Sequence, residues 1–482
     1  MRMTPLTEHQ PHPGELVEFR IPDRLVAKAR HAPVDSTPPS LVQENHLRRR
    51  LANARAGQAQ SPWLGICFDL PGRIDPPAMA RALRRWILRH DTLLTYFSTG
   101  RDGTTRPAAD SPADPVGEEA QLVRHRVAPD DVHVEVVPRG TWDSGSELRD
   151  FLAERFRTDT DPMAWPPFTA AAVLREDSST LYYAVDHTHT DGYSITLVFD
   201  ELRALYESEL GRAPAVLADP GSYAEAVLDD RRRAAALRLD GPEVRRWAEF
   251  FLSGPLPSFP LELGVPDGEN RPSTALELDL LTPDRSDAFG KVCRSHGAGF
   301  SAGLLAALGT VHHELGGRDA YRGLSVVHTR NEPGRQSAQG WFINLVPIAF
   351  PLADANGTAL PLPQLLAGAG KSYAEAGDLT LVSPLRVAEL TGFSLHSDAA
   401  KVLPVVSYID ARRIPGSREW QDAHCEALVG PSPASEVLLW INRVWDRTYL
   451  LASYPDTPRA RTEVPRFFHR FQQVVRGIAD SA

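Results

Sequence analysis

The sequence predicts a two-lobed α/β protein. A chain of 482 residues is too long for one compact core and suits two lobes of roughly 200 residues each. Helical and β-type apolar periodicities alternate along the chain. A Pro- and Gly-containing stretch near its middle, Gly211-Arg-Ala-Pro-Ala-Val-Leu-Ala-Asp-Pro-Gly221, interrupts that alternation. The expected division is a first lobe over 1–210, a linker over 211–225 and a second lobe over 226–482.

In chain order, Met79, Leu83, Trp86, Ile87 and His90 recur at helical spacing and predict an amphipathic helix over 77–90. A strand is expected next, at Thr92-Leu-Leu-Thr-Tyr-Phe97. Residues 101–119, RDGTTRPAADSPADPVGEE, are polar and rich in Pro, Asp and Gly, which predicts a surface loop. The run 181–187 is of β type, and 194–210 carries Ile195, Val198, Leu202 and Leu205 on one helical face. The stretch between them, VDHTHTDGYS at 185–194, is therefore a strand-to-helix turn. In the second lobe, helices near 243–252 and 301–315 alternate with β-type runs at 324–328, 342–350, 402–409, 436–442 and 449–453. Trp440, Asn442 and Trp445 read as core of that lobe.

Composition narrows the function. Lys plus Arg number 52 against 62 acidic residues, a net charge of −10, so the overall field repels phosphate backbones and anionic membranes. Nucleic acid is not an expected partner. No apolar run is long enough to span a bilayer, and the first residues carry no signal-like segment, so a cytoplasmic protein is expected. Its three cysteines, Cys67, Cys293 and Cys425, are far apart and form neither a disulfide framework nor a Cys-x-x-Cys site.

The turn VDHTHTDGYS admits two chemistries. As His187-x-His189-x-Asp191 it is a metal-ligand pattern, since alternate residues of a strand share a face. That reading needs further histidines downstream, and none occurs between Gly192 and His296; His312 and His313 sit mid-helix. As His187-x-x-x-Asp191-Gly192 it is a proton-transfer pattern. A neutral imidazole at a strand end can accept a proton from a hydroxyl or amine. The carboxylate four residues on can brace the turn through a buried arginine. The N–H of Gly192, with the helix N-terminus, can meet a developing oxyanion.

His187-Thr-His-Thr-Asp191-Gly192 resembles the His-x-x-x-Asp-Gly motif of the CoA-dependent acyltransferase and nonribosomal-peptide condensation-domain superfamily. Arg89-His90-Asp91-Thr-Leu-Leu94-Thr95 is similar to its Arg-His-Glu-x-Leu-Arg-Thr segment, and Gly340-Trp-Phe-Ile-Asn344-Leu-Val-Pro347 to its Gly-x-Phe-x-Asn-x-x-Pro segment. Closer still is the similarity to actinobacterial polyketide-associated acyltransferases, the free-standing enzymes that build mycobacterial acyl-trehalose lipids. That likeness is carried by Ala29-Arg-His-Ala-Pro33, Pro38-Pro-Ser40, His46-Leu-Arg48, Asp69-Leu-Pro-Gly-Arg73, Val244-Arg-Arg-Trp247, Phe259-Pro-Leu261 and Gly340-Trp-Phe342, and it runs nearly end to end.

The resemblance implies two chloramphenicol-acetyltransferase-like lobes, each a mixed sheet flanked by helices, in a V with a central channel. It implies an acyltransferase moving an acyl group from a thioester, on a carrier protein or coenzyme A, to a small-molecule hydroxyl or amine acceptor. No cofactor beyond the acyl thioester, no metal and a monomeric state are expected. His187 is the implied base, Gly192 the oxyanion donor and Asp191 a structural carboxylate with Arg330 as partner. Tyr193, Asn344 and Ser407 are candidates for the channel wall, His189 for the channel wall or packing, and Trp341 for packing. Two departures stand out. Asp186 replaces the first of two histidines usual in peptide-forming condensation domains, which leans toward an ester-forming enzyme, and Leu94 replaces an arginine. Two other readings stay open: a free-standing condensation enzyme forming an ester or amide on a natural-product core, and a silent condensation-like domain that recruits other proteins.

Overall fold

Two seven-stranded sheets organise the chain. In the computed structural model the described residues are 1–55, 57, 63–100, 121–393, 403–430 and 432–481; the loop expected over 101–119 lies outside them. They form two compact units, the first comprising Met1–Arg232, Arg330–Phe342 and Ile414–Pro431, the second Arg233–Thr329, Ile343–Arg413 and Ser432–Ala482. No regular element occupies 213–222, and the helix Tyr223–Ala236 follows, with the unit boundary inside it. Two later segments thus return to the first unit. One reason is strand pairing: Glu426–Val429 lies parallel to Arg2–Pro5 and antiparallel to Trp63–Pro71.

In the first unit the sheet runs Arg2–Pro5, Glu426–Val429, Trp63–Pro71, Ser178–Asp186, Phe168–Leu174, Gly14–Arg20 and Glu135–Trp142. Ser178–Asp186 is central, paired antiparallel on both sides, and all of its residues but the first are buried. Burial on both faces explains why Leu181-Tyr-Tyr-Ala-Val185 reads as a continuous apolar run and not an alternation. The helix Pro76–Arg89 is started by Asp75, whose carboxylate accepts from the Ala78 N–H at 2.8 Å, and it buries Met79, Leu83, Trp86 and Ile87. The strand expected from Thr92 begins only at Thr95. Asp91–Leu94 is a 3-10 turn, because the Asp91 carboxylate accepts from Ser222 Oγ and the Tyr223 and Ala224 N–H groups and so caps the helix Tyr223–Ala236.

In the second unit the order is Ile343–Pro351, Ala320–His328, Val405–Asp410, Leu438–Arg443, Thr448–Pro455, Arg271–Leu281 and Pro433–Ala434. Its core rests on the 23-residue helix Pro458–Asp480, which buries Phe467, Phe468, Phe471, Val475 and Ile478 at helical spacing. His312 is half-buried against the Tyr321 and Phe467 rings, and desolvation pushes it down to about 3. Trp445, expected in the core, is 38% exposed; it follows the end of the Leu438–Arg443 strand. No helix among the described residues is long and apolar enough to cross a membrane.

Candidate active site

The strand Ser178–Asp186 ends on a carboxyl group that is fully buried. Asp186 Oδ1 accepts from the Thr188 N–H at 2.8 Å and thereby starts a 3-10 turn over His187–His189. His189 is buried with both ring nitrogens engaged, Nε2 with the Thr95 carbonyl at 3.1 Å and Nδ1 with Thr188 Oγ1 at 2.8 Å. Burial pushes its pKa down to about 3, so the ring is neutral and Nε2 carries the proton that the carbonyl accepts. Neither nitrogen is left for an ion or a substrate. Of the two places expected for His189, channel wall or packing, the buried and fully bonded ring takes packing, and the His-x-His metal pattern lacks its second ligand. Among the described residues, the His, Cys and Glu side chains close enough to share an ion are His9, Cys67 and Glu426 instead. There His9 is already bonded to Glu426 at 3.0 Å and to Tyr182 at 3.1 Å.

The hydrogens around Asp186 can be counted. The Thr188 hydroxyl has one proton and two candidate acceptors, Asp186 Oδ1 and His189 Nδ1. Protonating Asp186 satisfies both, since the carboxyl then donates to Thr188 Oγ1. Burial agrees, raising this carboxyl from 3.8 to about 7 against the opposing Thr188 bonds. A carboxyl that binds its proton more tightly when folded contributes stability below its unfolded value near 3.8, and that stability is lost as pH rises through about 7. Asp186→Asn should therefore gain stability relative to wild type between pH 4 and pH 8. Denaturant unfolding across that range checks it; a constant difference between the two proteins would count against a protonated Asp186.

Asp191 is a brace. Its Oδ1 accepts from the N–H groups of Tyr193 at 3.0 Å and Ser194 at 2.6 Å, and its Oδ2 from that of Phe342 at 2.8 Å. Arg330 Nη2 lies 3.3 and 3.4 Å from the two oxygens, and both side chains are 1% exposed. The guanidinium also donates to Ser194 Oγ at 2.5 Å and to the carbonyls of Arg335 and Ala338 at 2.6 and 2.8 Å. Phe342 and Tyr193 hold its faces, at 4.2 and 4.8 Å. Sequence reasoning paired these two residues, and the structure brings them together. The helix opens at Ser194 and not at Gly192, which is exposed two residues earlier.

His187 stands on the other side of this turn and is half-buried. Its pKa is lowered, chiefly by burial, with the Asp191 charge and backbone groups of His187 and Thr190 opposing. Nδ1 is without a hydrogen-bond partner. The ring packs on Trp341 at 4.2 Å between centroids, and His46 lies 6.1 Å away. His46 comes from the helix Leu41–Arg55, whose start is fixed by reciprocal bonds between Ser40 and Gln43. Gln43 Nε2 donates to the Thr188 carbonyl at 2.7 Å. His46, three residues on, falls on the same helical face and so meets the same turn.

The segments flanking the turn are built for support. Arg89 and His90 both bind Glu201 of the Ser194–Glu209 helix, at 3.2 and 2.6 Å, and Trp86 Nε1 donates to the same carboxylate at 2.8 Å. Gly340 has φ +151°, and a Cβ there would stand 2.3 Å from the Tyr223 ring, so only glycine fits. Asn344 and Ser407 lie in the second unit. Asn344 Nδ2 donates to the carbonyls of Thr380 and Val382 at 2.9 and 2.8 Å, and its Oδ1 accepts from the Leu345 N–H at 2.9 Å, so its bonding capacity is used within that unit. Ser407 is buried on the strand Val405–Asp410. Gln43 and His46 had no functional reading from sequence. The signal was present in the Ser40-x-x-Gln43 capping pattern, which predicts a helix start and hence the common face of Gln43 and His46.

Comparison with known proteins agrees with this architecture. The chain is 28% identical over 496 residues to acyltransferase PapA3 of Mycobacterium tuberculosis, covering 100% of this chain and 98% of that protein. It is also 28% identical to trehalose-2-sulfate acyltransferase PapA2 of Mycobacterium bovis, over 99% and 97% of the two chains. A solved PapA2 acyl transferase superposes with a TM-score of 0.88 at 28% identity over 100% of both chains. The first condensation domain of the calcium-dependent antibiotic synthetase superposes with a TM-score of 0.66 at 16% identity, over 91% of this chain and 95% of that one, a likeness of fold. A family profile described as Condensation domain matches residues 48–371, which include the His187 turn, the Arg89-His90-Asp91 segment and the Gly340-Trp-Phe342 segment, and the chain belongs to the condensation-domain family.

Proposed function

We propose that this protein is a cytoplasmic acyltransferase that moves an acyl group from a thioester, on a carrier protein or coenzyme A, to a hydroxyl of a small-molecule acceptor in lipid or secondary-metabolite synthesis. The observation that carries the reading is a neutral, half-buried imidazole, His187, on a turn whose neighbouring carboxylate is fully committed to Arg330 and backbone N–H groups. His187 takes the acceptor's hydroxyl proton as its oxygen attacks the thioester carbonyl. The tetrahedral oxyanion collapses, the C–S bond breaks, and the imidazolium returns the proton to the departing thiolate. Ester and free thiol form in equal amounts. Because Asp191 already uses the N–H groups of Tyr193 and Ser194, the exposed Gly192 is the donor proposed for the oxyanion. The naming of two similar proteins as an acyltransferase and a trehalose-2-sulfate acyltransferase supports a hydroxyl acceptor.

Intact-mass measurement of a panel of acyl-carrier proteins and acyl-CoAs, incubated with hydroxyl and amine acceptors, tests the reading. Loss of the acyl mass only with a hydroxyl acceptor is expected, and transfer to amines alone would contradict it. The pH dependence is fixed by the sign of the shift. A base works when unprotonated, and burial lowers the His187 pKa below 6.5, so the single-turnover rate should rise with pH through one ionisation below that value and then stay level. A rate that falls over the same range would remove His187 as the base.

A further inference from the structure

A histidine base needs its ring fixed in one orientation, and in hydrolase triads a carboxylate bonded to Nδ1 does this. Here no carboxylate does so: Asp186 Oδ2 is itself buried without a partner. Asp191 is held by Arg330 and three N–H groups, Asp186 by Thr188, and His187 Nδ1 is without a hydrogen-bond partner. What touches the ring is aromatic. Trp341 lies 4.2 Å from it with the planes tilted 38°, and His46 lies 6.1 Å away and meets Trp341 edge-on at 5.1 Å and 78°.

Both partners are themselves held by hydrogen bonds of their own segments. Trp341 sits between Gly340, whose left-handed backbone lets the segment pass against the Tyr223 ring, and Phe342, whose N–H is held by Asp191. Its carbonyl accepts from Tyr223 Oη at 3.4 Å. His46 is registered by the bond between Gln43 and the Thr188 carbonyl. The polar atoms His46 Nε2, Trp341 Nε1 and His187 Nδ1 are all buried without partners. Ring packing, and not hydrogen bonding between protein groups, therefore surrounds the His187 ring. Burial, together with His187, Arg49 and Arg50, keeps His46 well below the ordinary histidine range, so it adds no charge beside the base.

We infer that Trp341 and His46 are positioning residues that hold the His187 ring by aromatic packing, in place of the carboxylate a histidine base usually has, and keep it dry. The inference rests on His187 being the base of the proposed reaction. It also has a readout that needs no reaction. In the full-length protein labelled with 13C at histidine Cε1, the His187 signal is assigned with His187→Ala and titrated by NMR. Trp341→Leu should move its midpoint up toward 6.5, the ordinary value, and lower single-turnover transfer at high pH tenfold or more. Trp341→Phe, which keeps a ring, should restore most of both. His46→Ala should shift the midpoint in the same direction and serves if Trp341→Leu does not fold. A His187 midpoint unmoved in both Trp341→Leu and His46→Ala, with transfer within twofold of wild type, would overturn the inference and leave the base reading standing. Transfer retained by His187→Ala would remove the base reading instead, and the titration would still decide whether the rings hold His187.

Discussion

His187→Ala is expected to lower single-turnover acyl transfer about a hundredfold or more while leaving the melting temperature close to that of wild type. The two halves of this expectation have separate causes. The loss of rate follows from removing the only proton acceptor proposed at the turn, since His189 has both nitrogens committed and Asp191 has both oxygens committed. The small effect on stability follows because His187 is half-buried and its Nδ1 makes no hydrogen bond that the folded state would lose. Stopped-flow or quenched transfer, measured beside thermal unfolding, separates them. A variant with near-normal transfer would remove the assignment, and one that unfolds would make His187 a structural residue.

Asp191→Ala should do the opposite to stability. The side chain is 1% exposed and joins Arg330, Tyr193, Ser194 and Phe342, so its removal leaves a buried guanidinium and three N–H groups short of an acceptor. Breaking one side of such a pair costs about 3–5 kcal/mol. Arg330 keeps the Arg335 and Ala338 carbonyls and its contact with Phe342, which limits the damage to the lower part of that range. Activity falls as well, because the turn carrying His187 and the segment carrying Trp341 are tied together through this carboxylate. Denaturant unfolding of Asp191→Ala and Asp191→Asn checks it, with Asn expected to recover part of the loss as an acceptor for the N–H groups. An inactive Asp191→Ala of unchanged stability would place the carboxylate in the chemistry instead.

The contrast between these variants shows what the sequence made legible. The strand-turn-helix around VDHTHTDGYS was readable because burial on both faces and motif spacing leave local marks, whereas Arg330, 139 residues from Asp191, was a candidate partner only through the family resemblance. The aromatic contact on His187 was not readable. His46 and Trp341 are 141 and 154 residues from it in the chain, and neither belongs to a pattern that names a partner. Strand alternation puts His189 on the His187 face, which left channel wall and packing both open; the chain leaves the strand at Asp186, and the 3-10 turn rotates His189 inward to Thr95. Thr92–Leu94 read as strand for want of any local sign that Asp91 caps a helix 132 residues further on. The Pro458–Asp480 helix has the spacing of an amphipathic helix, but Pro465 inside it breaks the local rule that a helix interior excludes proline.

The most direct test of the account is a single turnover with an acyl thioester and a hydroxyl acceptor in which the masses of enzyme, ester and thiol are all followed. A base that takes a proton and returns it leaves no acyl group on the protein. The account predicts ester and free thiol appearing together in equal amounts, with the enzyme's mass unchanged throughout and the whole process lost in His187→Ala. An acyl adduct on the protein that forms and decays at the rate of transfer, or ester formation that persists without His187, would contradict it.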